Sequence, residues 1–273
     1  VTDNHIHRDD APENLDDPRS GPVSITPPGR RLRIMTFNIH HGEGPDGRLD
    51  LERVARTIED GNPDVVGLQE VDQHFSARSQ FVDQPFWLAQ RLGMRGIFGA
   101  NLDADPLEPG RPRRRYGTAL LSRFPIQQWH NIPLPRIGMS EQRGLMCARI
   151  DVDGIPVRIY NTHLQFNSSL ERASQAAAIR KIIDAVPEPT ILVGDLNASP
   201  QDPEIADITQ TLVDVWPRVG EGAGYTYDST APFLRIDYVL TSPDVTPYAA
   251  TVVASDASDH LPVIVDLAVP ASL

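Results

Sequence analysis

The sequence predicts an α/β protein in which two mixed β-sheets pack face to face and helices cover their outer sides. Three observations predict it. Apolar runs rich in Val, Ile and Leu alternate along the chain with stretches of helical periodicity. Several of those runs are apolar at successive positions, as strands buried on both faces are. Pro (25) and Gly (19) are frequent, which suits many short turns between elements.

Each element follows in order. Residues 1–29 are rich in Asp, Pro and Asn and read as an extended or disordered arm, ahead of one domain over residues 30–273. His5 and His7 in that arm read as solvated rather than as metal ligands. Residues 32–36 form the first strand. Leu51, Val54, Ala55 and Ile58 recur at helical spacing, so residues 50–60 form an amphipathic helix that Gly61 and Pro63 stop. Residues 64–70 are a second strand, and residues 85–92 a second helix. Residues 144–152 and 157–162 pair as a hairpin around Asp153-Gly154. Ser168-Ser169-Leu170-Glu171 resembles a capping box and opens a third helix, with Ile179, Ile182, Ile183 and Val186 on its apolar face. Residues 190–193 are a buried strand, and residues 203–212 a fourth helix. Residues 235–240 and the run from Val263 complete a set of about ten strands. No internal repeat is visible.

Composition narrows the classes. The 273 residues suit one large domain. No apolar run reaches the about 20 residues of a membrane-spanning helix. The chain opens on Val1 with no signal peptide, which leaves room for a removed leader or an upstream segment. The single cysteine, Cys147, excludes an internal disulfide framework and reads as a buried thiol. It leaves the compartment open between cytoplasm and secretion. The arm holds six acidic and two basic residues, so it carries −4 of the formal charge of −12 and leaves −8 for the domain. That balance argues against tight nucleic-acid binding.

Polar residues sit at the ends of the buried runs. Residues 190–193 lead into Gly194-Asp195-Leu196-Asn197. In extended chain, residues two apart point to the same side, so Asp195 and Asn197 can face one point. Two hard oxygen donors aimed together suit a divalent cation or a phosphoryl group, although Asp and Asn are also ordinary turn residues. Asn38, Glu70, His163, Asp237 and the pair Asp259 and His260 end or interrupt other strand-like runs. Any one of them alone reads as a capped or solvated strand end. Six such ends in one chain point to a shared site.

These residues carry a resemblance. The segments are Thr36-Phe37-Asn38-Ile39, Leu68-Gln69-Glu70-Val71-Asp72, Tyr116-Gly117-Thr118-Ala119-Leu120-Leu121-Ser122, Asn161-Thr162-His163-Leu164, Gly194-Asp195-Leu196-Asn197, Arg235-Ile236-Asp237-Tyr238-Val239-Leu240 and Ser258-Asp259-His260-Leu261-Pro262-Val263. In that order they resemble the endonuclease/exonuclease/phosphatase superfamily, which includes deoxyribonuclease I, abasic-site endonucleases, inositol-polyphosphate 5-phosphatases and bacterial sphingomyelinases. The resemblance runs from Arg31 to Leu267. It implies a four-layer α/β sandwich with the site at one end of the sheets, and a metal-dependent phosphoester hydrolase of the EC 3.1 class.

Hydrolysis of a phosphoester needs an activated water, neutralised charge and help for the leaving group. Glu70 is the expected ligand of Mg²⁺ or Mn²⁺, with Asn38 a second ligand or a supporting amide. The resemblance places Asp259 near the metal. His260 is the expected general base or acid, and Asp237 would orient it. The ordinary alternative for Asp237 is a salt bridge to Arg235. Asp195 would activate or orient the attacking water, and Asn197 would donate to a phosphate oxygen. His163 matches the position of a phosphate-binding or leaving-group histidine. The base role stays open between Asp and His.

Arg143 could reach a phosphate, although its ordinary reading is a surface arginine. His40 and His41 follow Asn38, one expected at the site mouth and the other solvated, without partners at zinc spacing. Arg111, Arg113, Arg114 and Arg115 form one basic patch, with Arg114 and Arg115 as polyanion contacts or else a solvated loop. The expected substrate is a phosphoester. A phosphodiesterase of endonuclease type comes first, on His163 and the arginine patch. The alternatives are a small or lipid-linked phosphoester and, last, a non-catalytic binding module. No protein partner is expected.

Overall fold

A computed structural model describes residues 29–270. Residues 1–28 of the predicted arm, with His5 and His7, lie outside the described residues. The chain runs β1 (Arg30–Asn38), α1 (Leu51–Gly61), β2 (Val65–Gln73), α2 (Gln84–Leu92), β3 (Arg95–Ala104), β4 (Arg114–Ser122), β5 (Ile126–Pro133), β6 (Gly144–Val152), β7 (Ile155–His163), α3 (Ser169–Asp184), β8 (Thr190–Asp195), α4 (Pro203–Ile208), β9 (Val213–Asp214), α5 (Trp216–Val219), β10 (Asp237–Thr241), β11 (Thr246–Val252) and β12 (Val263–Val269). Among the described residues twelve strands replace the expected ten or so, because short edge strands such as β9 carry too little pattern to read.

The strands form two six-stranded sheets, ordered β11-β12-β1-β2-β4-β3 and β5-β6-β7-β8-β10-β9. Each sheet is mixed. The β1–β2 and β7–β8 pairs are parallel and the other pairs antiparallel. This is the four-layer sandwich that the resemblance implies.

Alternation along each strand sorts the core into three layers. Leu32 and Ile34 of β1, Val65 of β2 and Val263 and Val265 of β12 meet Val157, Ile159, Ile191, Val193 and Val239 of the other sheet. The opposite faces of the same strands pack on helices. Met35, Phe37, Val66 and Leu68 lie against Val54, Ala55 and Ile58 of α1 and Leu88 of α2. Tyr160, Leu192, Tyr238 and Leu240 lie against Ala176, Ile179 and Ile183 of α3 and Ile205 and Ile208 of α4. Gly67 lets the sheets come close. A Cβ there would stand 2.4 Å from Val193 Cγ2.

Helix ends follow local chemistry. Asp50 accepts from Arg53 N and caps α1. Ser168 accepts from Glu171 N at 3.2 Å, which is half of a capping box. Glu171 does not reach back. Its carboxylate takes Ser140 Oγ at 2.9 Å, so tertiary contacts win over the reciprocal cap. Helix α3 ends at Asp184, which leaves Val186 outside it, and α4 stops at Ile208, short of Leu212. Cys147 is buried as expected, and burial pushes its thiol up to about 12. Among the described residues no helix is long and apolar enough to cross a membrane.

Candidate active site

The same alternation that builds the core delivers the site. Going up β1, the inward positions are Leu32, Ile34, Thr36 and Asn38. On β7 they are Val157, Ile159, Asn161 and His163, and on β8 Ile191, Val193 and Asp195. Apolar side chains fill one end of the inter-sheet space and polar ones the other. Between them lies a buried amide layer. Gln69 Nε2 donates to Asn161 Oδ1 at 2.7 Å, and Asn161 Nδ2 donates to the Leu68 and Ala119 carbonyls at 3.0 and 2.8 Å.

The polar end opens into a cleft of ≈ 550 Å³. Asp195 sits at its floor, fully buried. Its Oδ2 accepts from Asn38 Nδ2 at 3.0 Å, and its Oδ1 accepts from Asn197 N at 2.9 Å. The Nε2 atoms of His163 and His260 stand 3.5 and 3.7 Å from that Oδ2. Burial, with Asp237 close by, pushes the Asp195 carboxyl up to about 7 against the pull of His260.

His260 Nδ1 donates to Asp237 Oδ2 at 2.9 Å, so Nε2 faces Asp195 and the cleft. Burial pushes the imidazole pKa down, but the Asp237 and Asp195 carboxylates outweigh it and raise it to about 10. The Tyr227 ring packs on His260 at 5.0 Å between centroids. Arg235 does not compete for Asp237. Its Nη2 pairs with Asp214 Oδ2 at 2.6 Å.

His163 differs. Arg143 Nη1 donates to its Nδ1 at 3.0 Å. A guanidinium has no acceptor, so Nδ1 is the acceptor and the ring's proton sits on Nε2. Burial, with Arg143 and His260 nearby, holds this imidazole well below the usual histidine range. Arg143 is 3 % exposed, so the surface reading of it is corrected. Strand β6 and Glu141, whose Oε1 is 2.6 Å from Nη1, fold it inward.

Alternation alone would send Glu70 to the helix side of β2. A register shift between Leu68 and Val71, with φ of 57° at Glu70, turns it into the cleft. There Glu70 Oε1 accepts from Asn38 Nδ2 at 3.1 Å, its one hydrogen bond among the described residues. Asn38 Oδ1 accepts from His40 N at 3.0 Å. Its oxygen is therefore committed to backbone and its nitrogen to two carboxylates. Asn38 thus joins Glu70 to Asp195 through its amide nitrogen. Asp259 lines the same cleft. The hard carboxylate oxygens of Glu70 and Asp259 fit a small divalent cation. Asn197 also lines the cleft, and its Nδ2 donates to the Leu164 carbonyl at 3.1 Å, which leaves one amide hydrogen over.

Arg114 and Arg115 lie elsewhere. Neither lines the cleft. Arg114 Nε donates to the Asp105 carbonyl, Arg115 Nε stands 3.3 Å from Asp103 Oδ2, and Arg113 pairs with Asp103 and Asp105. Asp103 and Asp105 thus take up Arg113 and Arg115, and Arg114 is held by a main-chain carbonyl. The cleft arginine that sequence reasoning missed is Arg78. It pairs with buried Asp72 at 2.7 Å and covers the Phe75 and Tyr116 rings at 4.8 and 5.2 Å. Its loop has neither periodicity nor a motif to mark it.

With this geometry in place, the chain can be compared with known proteins. Residues 35–260 match the endonuclease/exonuclease/phosphatase family, and the chain belongs to it. That family is one of phosphoester hydrolases, generally dependent on divalent metal. The chain is 24% identical over 260 residues to the Escherichia coli protein YbhP, covering 86% of this chain and 96% of that one. It is 27% identical to a 5'-tyrosyl-DNA phosphodiesterase of Caenorhabditis elegans, over 74% of this chain and 52% of that protein. The crystal structure of an endonuclease/exonuclease/phosphatase from Beutenbergia cavernae superposes with a TM-score of 0.76 at 29% identity, covering 88% of this chain and 72% of that one.

Proposed function

We propose that the protein hydrolyses a phosphodiester by in-line attack of water, with Mg²⁺ or Mn²⁺ held by Glu70 and Asp259. The observation that supports this most is the convergence of both imidazole Nε2 atoms on Asp195 Oδ2. When bound, the ion supplies positive charge to the phosphoryl oxygens. Asp195, poised near neutrality, accepts the proton of the attacking water. His260 gives its Nε2 proton to the leaving oxygen as the P–O bond to it breaks, and Asp237 fixes its tautomer. His163 stays neutral and donates from Nε2. Asn197 offers its remaining amide hydrogen to a phosphate oxygen. Arg143 acts through His163, holding its ring.

For substrate class, a phosphodiester of nucleic acid is supported by the relative named as a 5'-tyrosyl-DNA phosphodiesterase. A second reading, a small or lipid-linked phosphoester, is favoured by the internally paired arginine loop and the net charge of −12. Supercoiled plasmid and bis(p-nitrophenyl) phosphate, each with Mg²⁺ or Mn²⁺, test both. Turnover of either, lost in His260→Ala, is the expected result. Turnover of the small diester alone selects the second reading. Full activity in His260→Ala would overturn the site.

A further inference from the structure

His41 is buried rather than solvated, and His40 is half-buried beside it. One nitrogen of each and one carboxylate oxygen of Glu70 all lie within 4.8 Å of one another. Tetrahedral ligands at about 2.0–2.2 Å from a shared ion stand about 3.3–3.6 Å apart, so side-chain shifts of up to about an ångström bring the three onto one ion. A second observation points the same way. His41 is 6 % exposed, and its Nδ1 is buried with no hydrogen-bond partner among the described residues. A buried ring nitrogen is normally satisfied, and a ligated ion satisfies it. The two rings meet edge to face at 4.5 Å. Carboxylates bound the group. Asp259 Oδ1 is 3.8 Å from His40 Nδ1, and Glu43 Oε2 is 3.6 Å from His41 Nε2.

We propose that His40, His41 and Glu70 form a mixed nitrogen and oxygen site for a divalent first-row transition ion, which binds there in preference to Mg²⁺. Imidazole suits Zn²⁺, Ni²⁺ and Co²⁺, whereas Mg²⁺ keeps to oxygen donors and water. The inference takes Glu70 as an ion ligand, as the proposed function does, and adds the nitrogen ligands that would set its selectivity.

Co²⁺ titrated into the metal-free full chain, followed by its visible d–d absorption, tests this. Asn is the replacement of choice, because His40 and His41 have φ of 42° and 45° and Asn tolerates that left-handed region. His41→Asn and His40→Asn are each expected to weaken Co²⁺ binding at least about tenfold, the loss typical even of an outer partner. Excess Mg²⁺ should not displace Co²⁺ from the wild type. Circular dichroism checks the fold, and His40→Asn, at a half-buried position, serves if His41→Asn misfolds. Co²⁺ binding within twofold of wild type in a folded variant overturns the proposal, as does ready displacement by Mg²⁺. Mg²⁺-dependent hydrolysis without histidine-dependent Co²⁺ binding sinks this inference and keeps the proposed function. Histidine-dependent binding without hydrolysis under any ion does the reverse.

Discussion

The two ends of the inter-sheet space are built on the same strands with the same alternation, yet they do opposite things. At one end Leu32, Ile34, Val157, Ile159 and Ile191 close a dry core. At the other, Asn38, His163 and Asp195 continue those inward rows as a buried polar cluster. The apolar end supplies the free energy that holds the sheets together. The polar end draws on that stability, since two imidazoles and an amide around one carboxylate oxygen are kept from water with partners that only partly satisfy them. Asp237 Oδ1, buried with no hydrogen-bond partner among the described residues, is one such cost.

Substitutions at the two ends should separate accordingly. His260→Ala is expected to lower kcat about 10²- to 10⁴-fold, the range for a positioned acid–base group, with the melting temperature little changed. Steady-state kinetics beside a thermal melt would show it, and an unfolded variant with wild-type turnover per folded molecule would break the comparison. At the dry end, Ile191→Ala should cost about 2–5 kcal/mol by urea unfolding while kcat of the folded fraction stays put. Gly67→Ala forces a methyl onto Val193 and should cost about 1–3 kcal/mol in the same assay.

Alkali sharpens the contrast from the core side. Burial raises the Cys147 thiol from 9.0 to about 12. A raised pKa favours the folded state below the unfolded value, and the advantage is lost as pH climbs from about 9 toward 12. Unfolding midpoints should therefore fall across that window, and a thiol reagent should label Cys147 only as the chain unfolds. A Cys147→Ala variant with the same slope would remove the thiol as the cause. The smallest effect is expected for Arg114→Ala with Arg115→Ala. Turnover of a small phosphodiester should stay within about twofold and stability within about 0.5 kcal/mol. A large loss on that substrate would bring the loop back into the site.

Much of this was legible in the chain. Strand and helix positions came from periodicity, because burial on one or two faces writes itself into spacing. The shared direction of Asp195 and Asn197 followed from the two-residue repeat of extended chain, and both line the cleft. Direction stopped being legible wherever the repeat broke. Glu70 stands at a bulge, and nothing in Leu68-Gln69-Glu70-Val71 marks the extra residue. Arg143 and Arg114 look alike in sequence, each beside polar neighbours and next to a strand. Only the fold buries the first against His163 and leaves the second paired with its own loop.

By itself, then, the sequence determined the α/β class, the strands that carry the site and the residue types at their ends. Those depend on local spacing and on side-chain chemistry, which a chain carries before it folds. The tertiary structure alone decided that Asn38 joins two carboxylates, that His163 is held neutral by Arg143, that Arg78 enters the cleft, and that His40 and His41 turn toward Glu70. Each of these needs groups far apart in the chain to meet within a few ångströms, and no local pattern encodes such a distance.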